Sequence, residues 1–479
     1  MSTEAARGGP AAPLVRQDAL VMAGLALVTL ATRLFRLGSP RVLVFDEVYY
    51  ALDAADLLER GAEVAPAHPP LGKWLIASGV WVTGFDPIGW RIASVVAGTA
   101  LVLLTYASAR LLTADRRLAT IAALLVAVDG IAFVTSRLAL LDVFVAVFLL
   151  GIVWCLIAAR THLGDHRRIR RYRTVAAVLL GLGMAVKWSA FWILPVMLVV
   201  FLHADLRLQP PGRPRRRAVA ATLGVLALVP SVLYLASYGP WFVNADRTRV
   251  GLRACDEHDE QPCELGVLER VDVWVDHQLD LVDFHRNLEV RNRYAAPAWT
   301  WVIQREPAAL LSKPCLPEMR GVPERLDDGV CGGSDTTTKA RILAVANPVV
   351  WFPSVAAAAL LAWWSIGPPL VAAFRRGAAR PRWRADRRAM LLAGLAASQW
   401  VPWIVAGRQG YTYYAVTLIP ILVLCLAEVL ERWPAVRQWA GPAILVGSMV
   451  MFVWLYPLLT GAALDDGAAG MRLLMPSWP

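Results

Sequence analysis

Apolar stretches of about 17–25 residues, the length that crosses a bilayer, recur along the chain with short polar connections between them. The pattern predicts an all-α integral membrane protein with about eleven transmembrane helices. The expected spans are about Ala19–Phe35, Ile88–Leu112, Leu118–Thr135, Leu140–Ala159 and Ala218–Tyr238, then Ile342–Ile366, Ala389–Ala406, Tyr411–Glu428 and Pro442–Thr460. Two more, about Thr174–Val186 and Ser189–His203, are short for the hydrocarbon thickness and are expected to be tilted or partly buried. This divides the chain into an amino-terminal membrane module (1–238), a polar segment (239–341) and a carboxyl-terminal membrane module (342–479). The first module carries a polar loop, 37–87, between its first two spans.

Composition agrees with the pattern. Hydrophobic residues are 57% and charged residues 18% of the 479, against about 45–50% and 25% in soluble domains. The net charge of +11 is informative mainly through its placement. Arg110 with Arg116 and Arg117, then Arg160–Arg173, Arg207–Arg217, Arg375–Arg388 and, more weakly, Arg432 with Arg437 all fall on one side if the amino terminus is cytoplasmic. That orientation puts loop 37–87, segment 239–341 and the tail with Asp465 and Asp466 outside, and all four lysines outside or at the outer interface. Arginine runs beside spans anchor to anionic lipid headgroups, so the charge gives no reason to expect nucleic acid. The residues before Ala19 lack the small-residue pattern of a cleaved signal.

Cysteine placement follows the same division. Cys155 and Cys425 fall in spans and are expected to be inert apolar residues. Cys255, Cys263, Cys315 and Cys331 all lie in the outer segment, where disulfides are permitted. Four cysteines allow three connectivities; the local pairs Cys255–Cys263 and Cys315–Cys331 close the shortest loops and are preferred. A zinc site is the alternative, without a C-x-x-C spacing to support it.

The outer boundary carries chemistry that lipid discourages. Loop 37–87 holds Asp46-Glu47 and the run from His68 to Lys73. Adjacent carboxylates point in different directions on any regular element, so they cannot form a symmetrical dyad. Asp46 and Glu47 admit two readings: a helix start favoured by negative charge, with Val48–Leu58 as the helix, or a general base with a neighbour that holds a group in place. Arg33, Arg91, Arg137, Lys187 and Arg408 are predicted at the same membrane face, with Asp142 and Trp188 among them. Cations gathered there beside a carboxylate suit a lipid-linked phosphate, which arginine grips in a fixed fork. Asp46, Glu47 and His68 are possible ligands for a divalent cation, but no spacing fixes a metal site and no cofactor is firmly implied.

Thr32-Arg33-Leu34-Phe35, Phe45-Asp46-Glu47, His68-Pro69-Pro70-Leu71-Gly72-Lys73 and Trp90-Arg91-Ile92-Ala93 together resemble the first third of the protein O-mannosyltransferases. Ser136 to Asp142, Val186 to Phe191 and Asp283-Phe284-His285-Arg286-Asn287-Leu288 are similar to later signatures of that family, in the same order. The pattern looks like its actinobacterial branch. The resemblance implies a GT-C membrane enzyme that moves mannose from polyprenyl-phosphate mannose to Ser or Thr of secreted polypeptides outside the cell membrane. It implies catalysis by Asp46 with Glu47, and donor or phosphate binding by Arg33, Arg91, Arg137, Lys187 and Arg408. His68, Lys73, Asp142, Trp188 and His285 are candidates for substrate contact. Arg291-Asn292-Arg293-Tyr294 departs from the family pattern, and segment 239–341 has no room for the β-trefoil domain of fungal and animal members.

The residues leave open a related transferase with another polyprenyl-phosphate sugar or with a lipid or polysaccharide acceptor. A transporter or flippase would place paired polar groups near mid-membrane, whereas these charges lie at the boundary. Membrane lipids are expected partners, and a link to the secretion channel is an expectation, since acceptors must arrive unfolded.

Overall fold

The computed structural model describes residues 15–63, 67–162, 165–207, 214–257, 263–287, 294–314, 338–374, 386–406 and 410–478. The amino-terminal half contains α1 (Arg16–Leu34), α2 (Glu47–Arg60), α3 (Leu71–Thr83), α4 (Pro87–Thr113), α5 (Arg116–Ala127), α6 (Gly130–Thr135), α7 (Asp142–Thr161) and α8 (His166–Val186). A 3-10 segment, Trp188–Ile193, leads into α9 (Leu194–Arg207), followed by α10 (Arg215–Ser237). The polar segment forms α11 (Gly239–Val243), α12 (Arg249–Glu257), α13 (Val267–Asn287) and strands β1 (Ala308–Pro314) and β2 (Thr338–Ala344). Then come α14 (Pro348–Phe374), α15 (Arg387–Val405), a 3-10 segment Thr412–Thr417, α16 (Ile419–Arg432), α17 (Pro434–Thr460), β3 (Ala463–Asp465) and α18 (Asp466–Gly470).

Among the described residues seven stretches are long and apolar enough to cross a membrane: Arg16–Leu34, Pro87–Thr113, Asp142–Thr161, Trp188–Leu206, Arg215–Ser237, Pro348–Gly367 and Pro434–Thr460. Helices α4, α7 and α16 are buried over most of their length and form the centre of the bundle. Helices α10 and α17 expose Leu228, Val232, Val450 and Val453. An apolar helix with an apolar outer face is one that meets hydrocarbon, so the chain is a multi-pass membrane protein.

Several elements depart from the expected spans, each for a local reason. The third is broken: Asp129 caps α6 through the Ala132 N–H (3.0 Å) and also accepts from the Asn347 N–H (3.0 Å), which ties the break to the start of α14. The fifth is not short, because α8 begins at His166, with Asp165 accepting from the N–H groups of Arg167 and Arg168. Ile342–Ala344 belong to β2, not to a helix, and α14 starts at Pro348, a residue suited to a first turn. The tenth opens as the 3-10 segment Thr412–Thr417 before α16. Among the described residues the all-α expectation is therefore qualified by one small antiparallel sheet, ordered β1-β2-β3, with Ala308 opposite Ala344 and Thr338 opposite Asp465.

At the far end of α1, Asp18 is fully buried and its Oδ1 accepts from Tyr106 (2.7 Å), Arg110 (3.1 Å) and Arg116 (3.0 Å), fastening α1 to α4 and α5. Cys255 and Cys263 are joined as a disulfide, which matches the local pairing expected for them. Cys315 and Cys331 lie outside the described residues. Cys155 and Cys425 are buried in α7 and α16.

Candidate active site

The loop after α1 is shaped by one arginine. Arg91, on α4, uses every N–H it has. Its Nε and Nη2 donate to the two Glu47 oxygens (2.8 Å each), Nη1 to the carbonyls of Leu37 (3.1 Å) and Pro40 (2.8 Å), and Nη2 also to Val42 (3.0 Å). Glu47 in turn accepts from the backbone N–H groups of Val44 and Ala139, both at 2.9 Å. Between these ties Phe45 takes a left-handed backbone (φ 52°), a conformation that costs a bulky residue of order 1–3 kcal/mol and persists only where its surroundings impose it. The turn sends the two carboxylates apart: Glu47 into the protein interior and Asp46 into a pocket of aromatic and charged groups.

Asp46 stands at the start of α2, partly buried. Its Oδ2 accepts from Tyr413 (2.9 Å) and, at longer range, from Tyr50 (3.4 Å). Phe45 packs edge-on against Tyr411 and Tyr413, with centroids 5.2 and 5.8 Å away. Burial pushes the Asp46 carboxyl up to about 6, against the opposing effects of the Tyr413 hydroxyl and the Lys187 ammonium, while Asp142 adds to the rise. Lys187, at the end of α8, donates to both Asp142 oxygens (2.9 and 3.1 Å) and lies 4.2 Å from the centroid of the Tyr414 ring. Asp46, Tyr50, Asp142, Lys187, Tyr413 and Tyr414 thus form one cluster from four parts of the chain.

A second group gathers around His285. His285, on α13, reaches the Ala67 carbonyl (2.9 Å), so its Nε2 donates, and it stacks on His68 (5.0 Å) and lies 6.0 Å from Trp188. Trp188 donates to Tyr234 (2.9 Å), which donates to Gln278 of α13 (2.7 Å). Beneath, Lys73 is fully buried, with its ammonium 2.6 Å from Glu63, 3.6 Å from Asp53 and 2.7 Å from the His68 carbonyl. Burial raises the Glu63 carboxyl to about 7 despite Lys73. Lys73 is spent on holding the loop.

Two of the expected phosphate ligands are committed elsewhere. All of Arg91's donors are taken by the loop, which leaves none for a phosphate. Arg137 donates to the carbonyls of Arg33 (2.5 Å), Phe35 (2.8 Å), Arg36 (3.1 Å) and Thr32 (3.4 Å), which makes it the cap of α1's last turn. Arg33 is buried and donates to Ser136 Oγ (2.7 Å) and the Ala127 carbonyl (3.4 Å). Gly98 permits this: a Cβ there would stand 2.1 Å from Ser136 Cβ. Lys187 is the expected cation that the structure brings to Asp46, and Arg408 lies outside the described residues. Among the described residues no group of three His, Cys, Asp or Glu side chains is arranged to hold a metal ion. Sequence reasoning missed Tyr413 and Tyr414, which lie on a short 3-10 segment with no periodic signal, and gave Tyr50 no role.

A half-buried carboxylate held by a tyrosine beside a lysine–aspartate pair, in a multi-pass helical bundle, fits a membrane group-transfer enzyme. The bundle is GT-C-like: it superimposes on a protein O-mannosyltransferase Pmt1–Pmt2 complex of S. cerevisiae with a TM-score of 0.80, covering 100% of this chain and 94% of that one at 13% identity. The chain belongs to the protein O-mannosyltransferase family, in its actinobacterial type. Profiles described as dolichyl-phosphate-mannose-protein mannosyltransferase match residues 67–234 and 23–95, and one described as the C-terminal four TMM region of protein-O-mannosyltransferase matches 271–478. The polyprenol-phosphate-mannose–protein mannosyltransferase of Mycolicibacterium smegmatis is 30% identical over 97% of this chain and 94% of its own length. That of Mycobacterium tuberculosis is 29% identical over 97% and 93%.

Proposed function

We propose that this chain is an inverting mannosyltransferase that moves mannose from polyprenyl-phosphate mannose to Ser or Thr hydroxyls of secreted polypeptides. The observation that carries this reading is the Asp46 carboxyl, lifted to about 6 and held by Tyr413 beside the Lys187–Asp142 pair. Such a group is still ionised at neutral pH and is a stronger base than an exposed aspartate. Asp46 takes the acceptor proton while the hydroxyl oxygen attacks the anomeric carbon. The bond from that carbon to the phosphate oxygen breaks, and polyprenyl phosphate leaves with the electron pair.

Charge then grows on the departing phosphate, and a cation must meet it. Lys187 has three N–H donors, of which two contacts go to Asp142; it is the residue in the cluster able to serve. Glu47, Arg91 and Arg137 act at one remove, fixing the loop that presents Asp46. His68, Trp188 and His285 border the side from which a peptide approaches.

The full count of about eleven crossings, the cytoplasmic amino terminus and the extracytoplasmic site belong to this proposal. They rest on the distribution of arginine between spans. Polypeptides reaching such a site unfolded would come from the secretion channel, which is the expected neighbour. The test is Asp46→Asn in purified protein given labelled polyprenyl-phosphate mannose and a Ser/Thr-rich peptide. Transfer is expected to fall about 10²–10⁴-fold with the unfolding temperature unchanged; full activity in that variant overturns the assignment.

A further inference from the structure

At the other end of α8 from Lys187 lies a cavity of about 300 Å³, lined by His166, Arg170, Arg173, Asp205 and Arg217 over an apolar floor that includes Ile169 and Ala204. Arg173 and Lys187 are 14 residues apart on one helix, so about 21 Å of rise separates the cavity from the active-site cluster. The cavity is therefore distinct from the site of transfer.

Its charge is unbalanced. Three arginines face one carboxylate, and that carboxylate is already engaged: Asp205 Oδ2 accepts from Thr222 and lies 3.6 Å from Arg173 Nη1, which itself donates to Thr222. Arg173 is 6% exposed, yet its Nε has no hydrogen-bond partner among the described residues. Arg173 lines the cavity with Arg170 and Arg217, so an anion held there lies among three guanidinium groups. Arg170 and Arg217 are exposed at the rim, where they add charge without closing it.

The surroundings say what carries the anion. Helix α10 exposes the apolar side chains of Leu223 and Leu228. A second cavity of about 450 Å³ also has Ala204 in its wall and is lined by Val196, Val199, Phe201, Met390 and Leu391, with Arg160 and Arg387 among its polar members. A basic hollow that adjoins an apolar one at the edge of a membrane bundle fits a phosphate with an attached acyl chain. We propose that the cavity bounded by α8, α9 and α10 is a binding site for the phosphate headgroup of an anionic phospholipid, with an acyl chain in the adjoining apolar cavity.

The test uses the delipidated full-length protein in detergent, titrated with phosphatidylglycerol, phosphatidylcholine or inorganic phosphate. Bound lipid is counted by native mass spectrometry and the unfolding temperature is followed. Phosphatidylglycerol is expected to bind and stabilise the protein, and the double variant Arg170→Gln/Arg217→Gln to bind it about tenfold or more weakly. The double variant Arg167→Gln/Arg171→Gln removes the same charge from α8 outside the cavity lining and is expected to stay within about twofold of the wild type. Equal loss in both variants would mean diffuse surface attraction and overturns the site. Stabilisation by inorganic phosphate alone, or equal binding of phosphatidylcholine, overturns the lipid assignment.

Discussion

Tyr413 donates a hydrogen bond of 2.9 Å to Asp46 across 367 residues of sequence. The bond joins the loop between α1 and α2 to the segment between α15 and α16, so both ends of the chain must be assembled before the base has its final environment. A phenol donor stabilises the carboxylate form and offsets part of the burial that raises its pKa.

The pH profile follows from this. The reaction needs ionised Asp46, so kcat/KM is expected to fall about tenfold per unit below about pH 6 and to be flat above it. Tyr413→Phe removes a contact that favours the charged form, which raises the pKa further and moves the acidic limb to higher pH by about half to one unit. Initial rates measured from about pH 5 to 8 check both; an unmoved limb in the variant would break the link to Asp46.

Glu47 and Arg91 are expected to behave as one buried unit. Glu47→Gln leaves the guanidinium without its counter-charge, a change that costs about 3–5 kcal/mol when such a pair is buried. Arg91→Lys offers three donors in place of five and cannot span Leu37, Pro40, Val42 and Glu47 together. Thermal unfolding in detergent should show both variants destabilised, with activity lost in proportion.

Arg137 separates a capping role from a phosphate role. Arg137→Gln removes charge-assisted bonds to the last carbonyls of α1 and is expected to lower stability by about 1–3 kcal/mol. The donor KM should change by no more than about twofold. A large rise in donor KM with unchanged stability would return Arg137 to the donor site.

His285 ties α13 to the first loop through the Ala67 carbonyl. His285→Ala is expected to raise the acceptor KM about twofold to tenfold, the worth of one hydrogen bond, with kcat little changed. His285→Asn retains an N–H donor and should recover part of the loss. Steady-state kinetics with a varied peptide acceptor distinguish the two.

Much of this molecule was legible in its sequence. Long apolar runs located α1, α4, α7, α10 and α17, because hydrocarbon leaves a helix few alternatives. Asp46 and Lys187 were singled out because charges at the membrane boundary are rare enough to notice. What a carboxylate or guanidinium touches was not legible. Arg91 and Arg137 read as phosphate ligands, since no local rule reveals that three backbone carbonyls and a glutamate will gather around the first and four carbonyls around the second. Tyr413 escaped notice for the same reason: its role exists only after chain segments hundreds of residues apart have met. The break at Asp129 and the strand at Ile342 were hidden by their apolar neighbours, which continue the pattern of a span through a change of backbone.

The left-handed turn at Phe45 has a consequence for how this loop tolerates change. It sits between anchored neighbours, with Val42 and Val44 tied on one side and Glu47 on the other. Inserting one residue before Asp46 would carry the base into the inward place that Glu47 holds, and deleting one would carry Glu47 into the place of the base. Composition would be almost untouched and both acids would remain. What encodes the base is therefore the counting of residues along the loop, and a frame error of one position is the change it can least absorb.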